Sequence, residues 1–359
     1  MIRVLHIYPQ MKSAGTEMVI MNLYRNIDRA QVQFDFCVQK KGETDDIILS
    51  MGGKVHYIPY SKNYKKDLMT FFKSHPEYKI VHTHTHTEMG IVLRAAKKAG
   101  VPCRIAHSHN SRPDLPKLMK LYKMWTSRHI EACATHFLAC SQEAAEWLYP
   151  LKHKKATVWN NAIDLDAFRF NEEARKAYRE LLGIPYDAKV IAHVGRFAEQ
   201  KNHTQMIEWL NSIMQKDDSV YALLVGGGPL FEQIKAKAQS ERIRFLGLRK
   251  DVPGILCASD VFLFPSLYEG LGIVAVEAQA SGLQCVASMG VPAAADIGIG
   301  LFERHLLTSS EAVWIERIYA AFSAFDLTER KVLSEKAFET EYNIKQVAAQ
   351  AQKFYLDQV

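Results

Sequence analysis

Short runs of apolar residues alternate with longer stretches whose apolar positions recur every three or four residues, and this rhythm holds along most of the chain. Runs at 2–8, 34–38, 54–58, 78–84, 103–109 and 136–140 read as strands. Helical spacing appears at 15–27, 65–75, 90–100 and 115–135, and Ser141 is placed to cap a helix over QEAAEWLY. The second half repeats the style. Strands are expected at 189–195, 221–228, 243–247, 261–266 and 284–288, and helices at 203–215, 230–239 and 273–282, the last closed by Gly282. From about 310 to 356 the pattern is helical, whereas over 160–185 strand alternation lapses and a connector is expected. Strand alternating with helix predicts parallel sheets covered on both faces. The expected class is therefore α/β, with Rossmann-like domains over 1–167 and 168–340 and a C-terminal helix, 341–359, packing back toward the first domain. Such sheets bind ligands beyond the carboxyl ends of their strands, so the chemistry is sought just after each strand.

Composition narrows the setting. With 359 residues, 48% hydrophobic and 23% charged, the chain has ordinary globular composition and length enough for about two domains. No apolar run approaches the roughly 18 to 20 residues that span a bilayer. The start, MIRVLHIYPQ, is a poor signal peptide because His6 and Pro9 interrupt its short apolar stretch. A cytoplasmic protein is expected. The six cysteines are scattered without a CxxC pair, which suits buried free thiols. The net charge of +6 hides an asymmetry: residues 1–165 carry 24 basic and 14 acidic side chains, the remainder 21 and 25. Most of the excess lies in 54–128, which directs attention to an anionic partner, a phosphate-bearing substrate, nucleic acid or a membrane surface, beside the plain alternative of a solvated basic face. The basic region lacks the interleaved aromatics or module of a nucleic-acid binder, so no nucleic acid is expected.

Several strand ends carry candidate chemistry. After the first strand, Ser13, Ala14 and Gly15 let a backbone turn approach a ligand, with a helix start behind them offering unpaired N–H groups; an ordinary strand-to-helix turn would use similar residues. In GRFAEQKNH, Arg196 and Lys201 place a planar fork and a point charge at another strand end, which suits a diphosphate or is a pair of surface cations. The strongest local signal is FPSLYEGLGIVAVEAQASG: Gly270 and Gly272 lie between a strand end and a helix start, Glu269 is in the loop, and Glu277 is a carboxylate among alanines and valines that needs a partner. His82, His84, His86, His107 and His109 all fall at predicted strand ends; alternating histidines could hold a metal, but only Glu88 joins them, and polar strand-end residues need none. Asp164 and Asp166 form an Asp-x-Asp in the connector and read as turn chemistry.

Taken together, AGTE (14–17), VHTH (81–84), AHSHN (106–110), NNAID (160–164), GRFAEQKNH, VGGGPL (225–230), FLGLRKDV (245–252) and FPSLYEGLGIVAVEA resemble the family-four retaining glycosyltransferases of the GT-B fold, in the subgroup of bacterial exopolysaccharide and capsule biosynthesis. The resemblance implies two Rossmann-like domains facing across a cleft and a nucleotide-sugar donor, with UDP the usual nucleotide. It also implies a glycan or lipid-linked acceptor, no cofactor and no metal. By the same resemblance Glu269 and His107 serve the transferred sugar, and Arg196, Lys201, Gly15 and the backbone of Leu271, Gly272 and Ile273 hold the diphosphate. Glu277 would bind the ribose, Leu248 and Arg249 the base, largely through backbone, and His84 and His109 the acceptor or sugar side. The chain departs from the family pattern at Ala14, at Ala162, and at Ala293, Ala294 and Ala295, where an acidic residue is common. A non-catalytic partner subunit and a sugar-nucleotide epimerase of similar fold are the alternatives; the presence of Arg196, Lys201 and Glu269 speaks against the first. Finally, 115–131 sets Lys117, Lys120, Lys123 and Arg128 beside Leu118, Met119, Leu121, Tyr122, Met124 and Trp125. That is the composition of a helix lying on the anionic inner face of the plasma membrane, or of a core-facing helix with a solvated basic side.

Overall fold

The structure, a computed structural model, describes residues 1–12, 15–109 and 117–359, with the backbone alone at 87 and 117–121. Ser13, Ala14 and Asn110 of the motifs above, and the start of the basic helix at 115–116, lie outside the described residues, as do the side chains of Lys117, Leu118, Met119, Lys120 and Leu121. The chain forms two compact units, Met1–Ala162 with Ile344–Val359, and Ile163–Asn343. The division therefore falls at 162/163 rather than 167/168, and the chain returns at 343/344. The reason is local. Ile163 N–H donates to the Tyr342 carbonyl, and Ile163 and Leu165 are buried with Leu271, Val276 and Tyr342. The start of the expected connector is thus an apolar anchor of the second unit.

In the first unit seven parallel strands, β1 (Ile2–Tyr8), β2 (Val32–Val38), β3 (Val55–Tyr57), β4 (Ile80–Thr83), β5 (Cys103–Ser108), β6 (His136–Ala139) and β7 (Thr157–Val158), lie in the order β3-β2-β1-β4-β5-β6-β7. Alternate residues face opposite sides, so the strands read as continuous apolar runs. Val4 packs with Ile20, Tyr24 and Tyr355 on one face; Leu5 and Ile7 pack with Leu68, Phe72 and Val92 on the other. The C-terminal helix Ile344–Leu356 lies against the helix Thr16–Asn26 on the first of these faces.

The second unit repeats the plan with β8 (Lys189–Val194), β9 (Val220–Val225), β10 (Ile243–Gly247), β11 (Val261–Phe264), β12 (Gln284–Ser288) and β13 (Phe302–His305), ordered β10-β9-β8-β11-β12-β13. Ile191, Leu224 and Leu263 meet Trp209 and Trp314 on one face, while Ala192, Phe262 and Phe264 meet Leu256, Ala275 and Ala278 on the other. Strand order reverses between β1 and β4 and between β8 and β11, which marks the two places where such sheets receive ligands.

Several elements depart from the expected pattern. A helix, Glu172–Leu181, occupies the supposed connector, capped by Asn171, whose side chain accepts from Ala174 N–H at 2.7 Å. Its buried stripe is ionic: Arg175 and Arg179 both pair with the buried Asp260, at 2.6 and 2.8 Å. A helix that buries guanidiniums shows no apolar period. β7 and β13 are short edge strands without alternation, and β9 and β11 stop at Val225 and Phe264, leaving Gly226–Gly228 and Pro265 in loops. No helix among the described residues is long and apolar enough to cross a membrane. All six cysteines are free and buried.

Candidate functional site

At the β8/β11 switch point the loop after β8 makes one tight turn, Glu199–Lys201, followed by Asn202 in the left-handed region, and the next helix starts at His203. This turn aims Lys201 across β8 to the loop after β11. Its Nζ donates to Glu269 Oε1 at 2.7 Å, with both side chains largely buried. Gln200 Nε2 donates to the Tyr268 carbonyl at 3.0 Å and reaches Glu269 Oε2 at 3.4 Å, while Gln200 O accepts from Leu267 N–H at 2.8 Å. The Lys201 ammonium also lies 4.6 Å from the centre of the Phe264 ring. Glu269 is therefore held in place by a cation, an amide and its own N–H, which donates to the Gly290 carbonyl at 2.9 Å. Arg196, by contrast, is exposed and makes no ion pair among the described residues. One strand end thus offers a guanidinium with all its donors available and a lysine already committed to an acid.

The helix Ile273–Ala280 begins at Gly272, whose φ of +84° belongs to the region that favours glycine. A Cβ there would come within 2.9 Å of the Phe264 ring, so the position is closed to side chains twice over. The helix start has no side-chain cap, which leaves its first N–H groups for an anion. Glu277, half-buried one turn in, has no hydrogen-bond partner among the described residues, contrary to the expectation that it would need one. Burial pushes its carboxyl up to about 8, against a weaker opposing pull from Lys201. Leu248 is 87% exposed, and Arg249 pairs with Asp251 at 2.6 Å rather than standing free.

The corresponding edge of the first unit is lined by histidine. Gly15 caps the helix after β1 with φ +60°, and a Cβ there would meet Glu17 Oε2 at an ordinary contact distance of 3.6 Å. Register places His6 beside His82 on one face of the sheet, and His84, His107 and His109 continue that stripe, all five buried. They form two hydrogen-bonded strings. His6 Nδ1 meets His84 Nε2 at 3.0 Å, and His84 Nδ1 meets His109 Nε2 at 2.8 Å. Tyr355 O–H meets His82 Nδ1 at 2.7 Å, and His82 Nε2 meets His107 Nδ1 at 3.1 Å. Burial holds His82, His84, His107 and His109 well below the usual imidazole range, and His6 down to about 3, so all are neutral. Within two trios, His6–His82–His84 and His84–His107–His109, one nitrogen from each ring lies within 4.8 Å of the others. A divalent ion would bring two charges into the core with no carboxylate in either trio, and most of the nitrogens already bond one another. The arrangement is that of a hydrogen-bonded stripe.

Both halves of the chain match family models: "Glycosyltransferase Family 4" over residues 13–167 and "Glycosyl transferases group 1" over residues 174–308. The Bacillus subtilis (strain 168) protein EpsF, described as a glycosyltransferase, is 33% identical over 96% of this chain and 94% of its own. The chain belongs to the glycosyltransferase family. The Escherichia coli UDP-Gal:alpha-D-GlcNAc-diphosphoundecaprenol alpha-1,3-galactosyltransferase is 29% identical over 80% of this glycosyltransferase and 79% of its own length. Among solved structures, Anabaena HepE in complex with UDP superposes with a TM-score of 0.83 at 17% identity, covering 99% of this chain and 100% of that one. This likeness shows the fold, GT-B, with its two Rossmann-like domains.

Four side chains of this glycosyltransferase escaped the sequence reading. Gln200 was hidden inside a motif read only for its cations. His6 looked like an ordinary strand residue, although its register with His82 follows from pairing β1 with β4. Tyr355 lies 273 residues from the histidine it touches, beyond any local pattern. Glu17, in the first turn after Gly15, is half-buried; burial raises its carboxyl, and Tyr8 bonds it.

Glu277 gives the glycosyltransferase a pH signature. Its folded-state carboxyl titrates near 8 against an ordinary value of 4.5, so between those limits the native state holds a proton that the unfolded chain has released. Stability then falls as pH rises through that window. We expect Glu277→Gln to flatten the fall: the Tm advantage of the variant over the wild type grows from pH 5 to pH 9, and a constant difference across that range would place Glu277 in water.

Proposed function

We propose that this glycosyltransferase moves a sugar from UDP-sugar to a lipid-linked or polysaccharide acceptor in exopolysaccharide or capsule assembly, with retention at the anomeric carbon and without a metal. The observation that carries it is the group gathered at the β8/β11 switch point: Arg196 without an ion pair among the described residues, Lys201 bonded to a largely buried Glu269 side chain, and an uncapped helix start at Gly272. Departure of a nucleoside diphosphate builds negative charge, and two cations with helix N–H groups offer the stabilisation a metal gives elsewhere. Arg196, Lys201, Gly15 and the backbone at Leu271–Ile273 take the diphosphate. Glu277 takes the ribose hydroxyls, and Leu248 with the backbone of Arg249 the base. Glu269 and His107 serve the transferred sugar, and His84 and His109 the acceptor side. The C1–O bond to the diphosphate breaks as the acceptor oxygen bonds C1 on the same face, and the acceptor proton passes to a phosphate oxygen of the leaving group.

The E. coli relative's printed name supports a UDP donor, an α linkage and a diphosphoundecaprenol acceptor; the name of the Staphylococcus aureus relative CapH, 26% identical over 77% of this chain and 79% of its own, supports the capsule setting. The deciding experiment is transfer from an α-linked UDP-sugar to a lipid-diphosphate acceptor, with the product's anomeric configuration read by NMR. An α product is expected; a β product refutes retention. Turnover is expected to survive EDTA, and a complete loss restored by magnesium would refute the metal-free reading.

Membrane docking of the helix Lys117–Cys133 belongs to the same proposal. Tyr122, Met124 and Trp125 are exposed on it at 53%, 46% and 56%, whereas Lys123 turns to lie 4.6 Å from the centre of the Trp147 ring. We expect Lys120→Glu with Trp125→Ser to lower binding to anionic vesicles by about tenfold or more. Unchanged sedimentation with vesicles would return this face to solvent.

A further inference from the structure

Tyr355 is fully buried on the C-terminal helix, and among the described residues its hydrogen-bond partner is His82, at 2.7 Å from Nδ1. That single contact has a direction. A phenol carries one proton; were Tyr355 to accept from His82, its own O–H would be stranded in the core, a loss of about 1–3 kcal/mol. Tyr355 must therefore donate, and His82 Nδ1 must be bare. A neutral imidazole has one N–H, so the proton of His82 is on Nε2, where it donates to His107 Nδ1 at 3.1 Å. His107 in turn has its proton on Nε2, and that atom is buried with no partner among the described residues.

We propose that Tyr355 is a positioning residue that fixes the tautomer of His107 through His82, so that His107 offers an N–H donor, not a bare nitrogen, to an oxygen of the sugar. The contrast with the neighbouring string supports this. Among the described residues, His6 Nε2 at one end of the string His6–His84–His109 is buried without a partner, the Asn161 amide interacts with His109 at the other, and no hydroxyl chooses its direction. Among the described residues the Tyr355 string has one anchored end and one unpaired end. Burial keeps both of its imidazoles neutral, so the choice is between two tautomers and not between charge states. A donor here suits a hydroxyl or ring oxygen of the sugar, and would repel a cationic group. The use made of the donor rests on the proposed role of His107 at the sugar; the tautomer itself does not.

The test is a long-range 1H–15N spectrum of the full chain labelled at histidine, with His107 assigned by its disappearance in His107→Gln. The wild type is expected to show His107 protonated at Nε2 and bare at Nδ1. In Tyr355→Phe a second tautomer is expected to appear. The variant's kcat should fall about tenfold at little-changed donor KM, in the range that second-layer hydrogen bonds command. A wild-type His107 protonated at Nδ1 would overturn the proposal, and so would one unaltered tautomer in Tyr355→Phe. Should that variant fail to fold, the wild-type spectrum decides alone. A tautomer that follows Tyr355 while kcat stays put would uphold the relay and refute the sugar-side role of His107.

Discussion

Replacing Glu269 with Gln is expected to lower sugar transfer by about a thousandfold, the scale at which preorganised charge acts in enzyme sites, while the fold survives. The side chain is held in place before any substrate arrives: Lys201 at 2.7 Å, the Gln200 amide at 3.4 Å and its own backbone N–H on Gly290. Gln keeps the size and one carbonyl oxygen, so Lys201 loses a countercharge but not a hydrogen-bond acceptor. Ala would remove both and leave a largely buried ammonium unpaired, at a cost of roughly 3–5 kcal/mol. The comparison of the two separates chemistry from scaffold. Glu269→Gln should retain a near-wild-type Tm with little turnover, whereas Glu269→Ala should lose stability as well. Steady-state transfer and thermal unfolding measured on the same preparations read both, and turnover by Glu269→Gln within tenfold of the wild type would remove Glu269 from the site.

Arg196→Ala is expected to produce the second largest effect, and in the opposite pattern. Arg196 is exposed with no ion pair among the described residues, so its loss should change stability by no more than about 0.5 kcal/mol. Its fork of donors is available for two phosphate oxygens, and charge-assisted bonds of that kind strengthen as the leaving group gains charge. We expect kcat/KM for the nucleotide-sugar to fall by about a hundredfold to a thousandfold. Arg196→Lys should recover only part of this, since a point charge cannot bridge two oxygens. Equal activity of all three forms would show that the diphosphate binds elsewhere.

Much of this was legible in the residue pattern, for a physical reason. Buried parallel strands are runs of Val, Ile, Leu and Phe, such as IRVLHIY and VFLF, and the order in which they alternate with helices specifies a doubly wound sheet. The strand ends then located Arg196, Lys201, Glu269 and Gly272. What escaped was whatever depends on the partner rather than on the period. The helix Glu172–Leu181 buries arginines, so nothing in its pattern announces a buried face. The ion pair of Arg249 with Asp251, two residues on, likewise had no signal in the pattern. The histidines were visible as a cluster, but their neutrality comes from burial and their connection to Tyr355 from the return of the C-terminal helix, which no spacing encodes.

The most direct measurement is thermal unfolding of the wild type and Arg196→Ala with UDP, GDP and ADP at millimolar concentration. A nucleotide held at a hundred times its Kd stabilises by about 2.7 kcal/mol, which for domains of this size raises Tm by about 5–10 °C. The account predicts such a rise with UDP for the wild type, little with GDP or ADP, and its loss in Arg196→Ala. No rise with any nucleotide, or an equal rise in both proteins, would contradict a donor diphosphate bound at the β8/β11 edge.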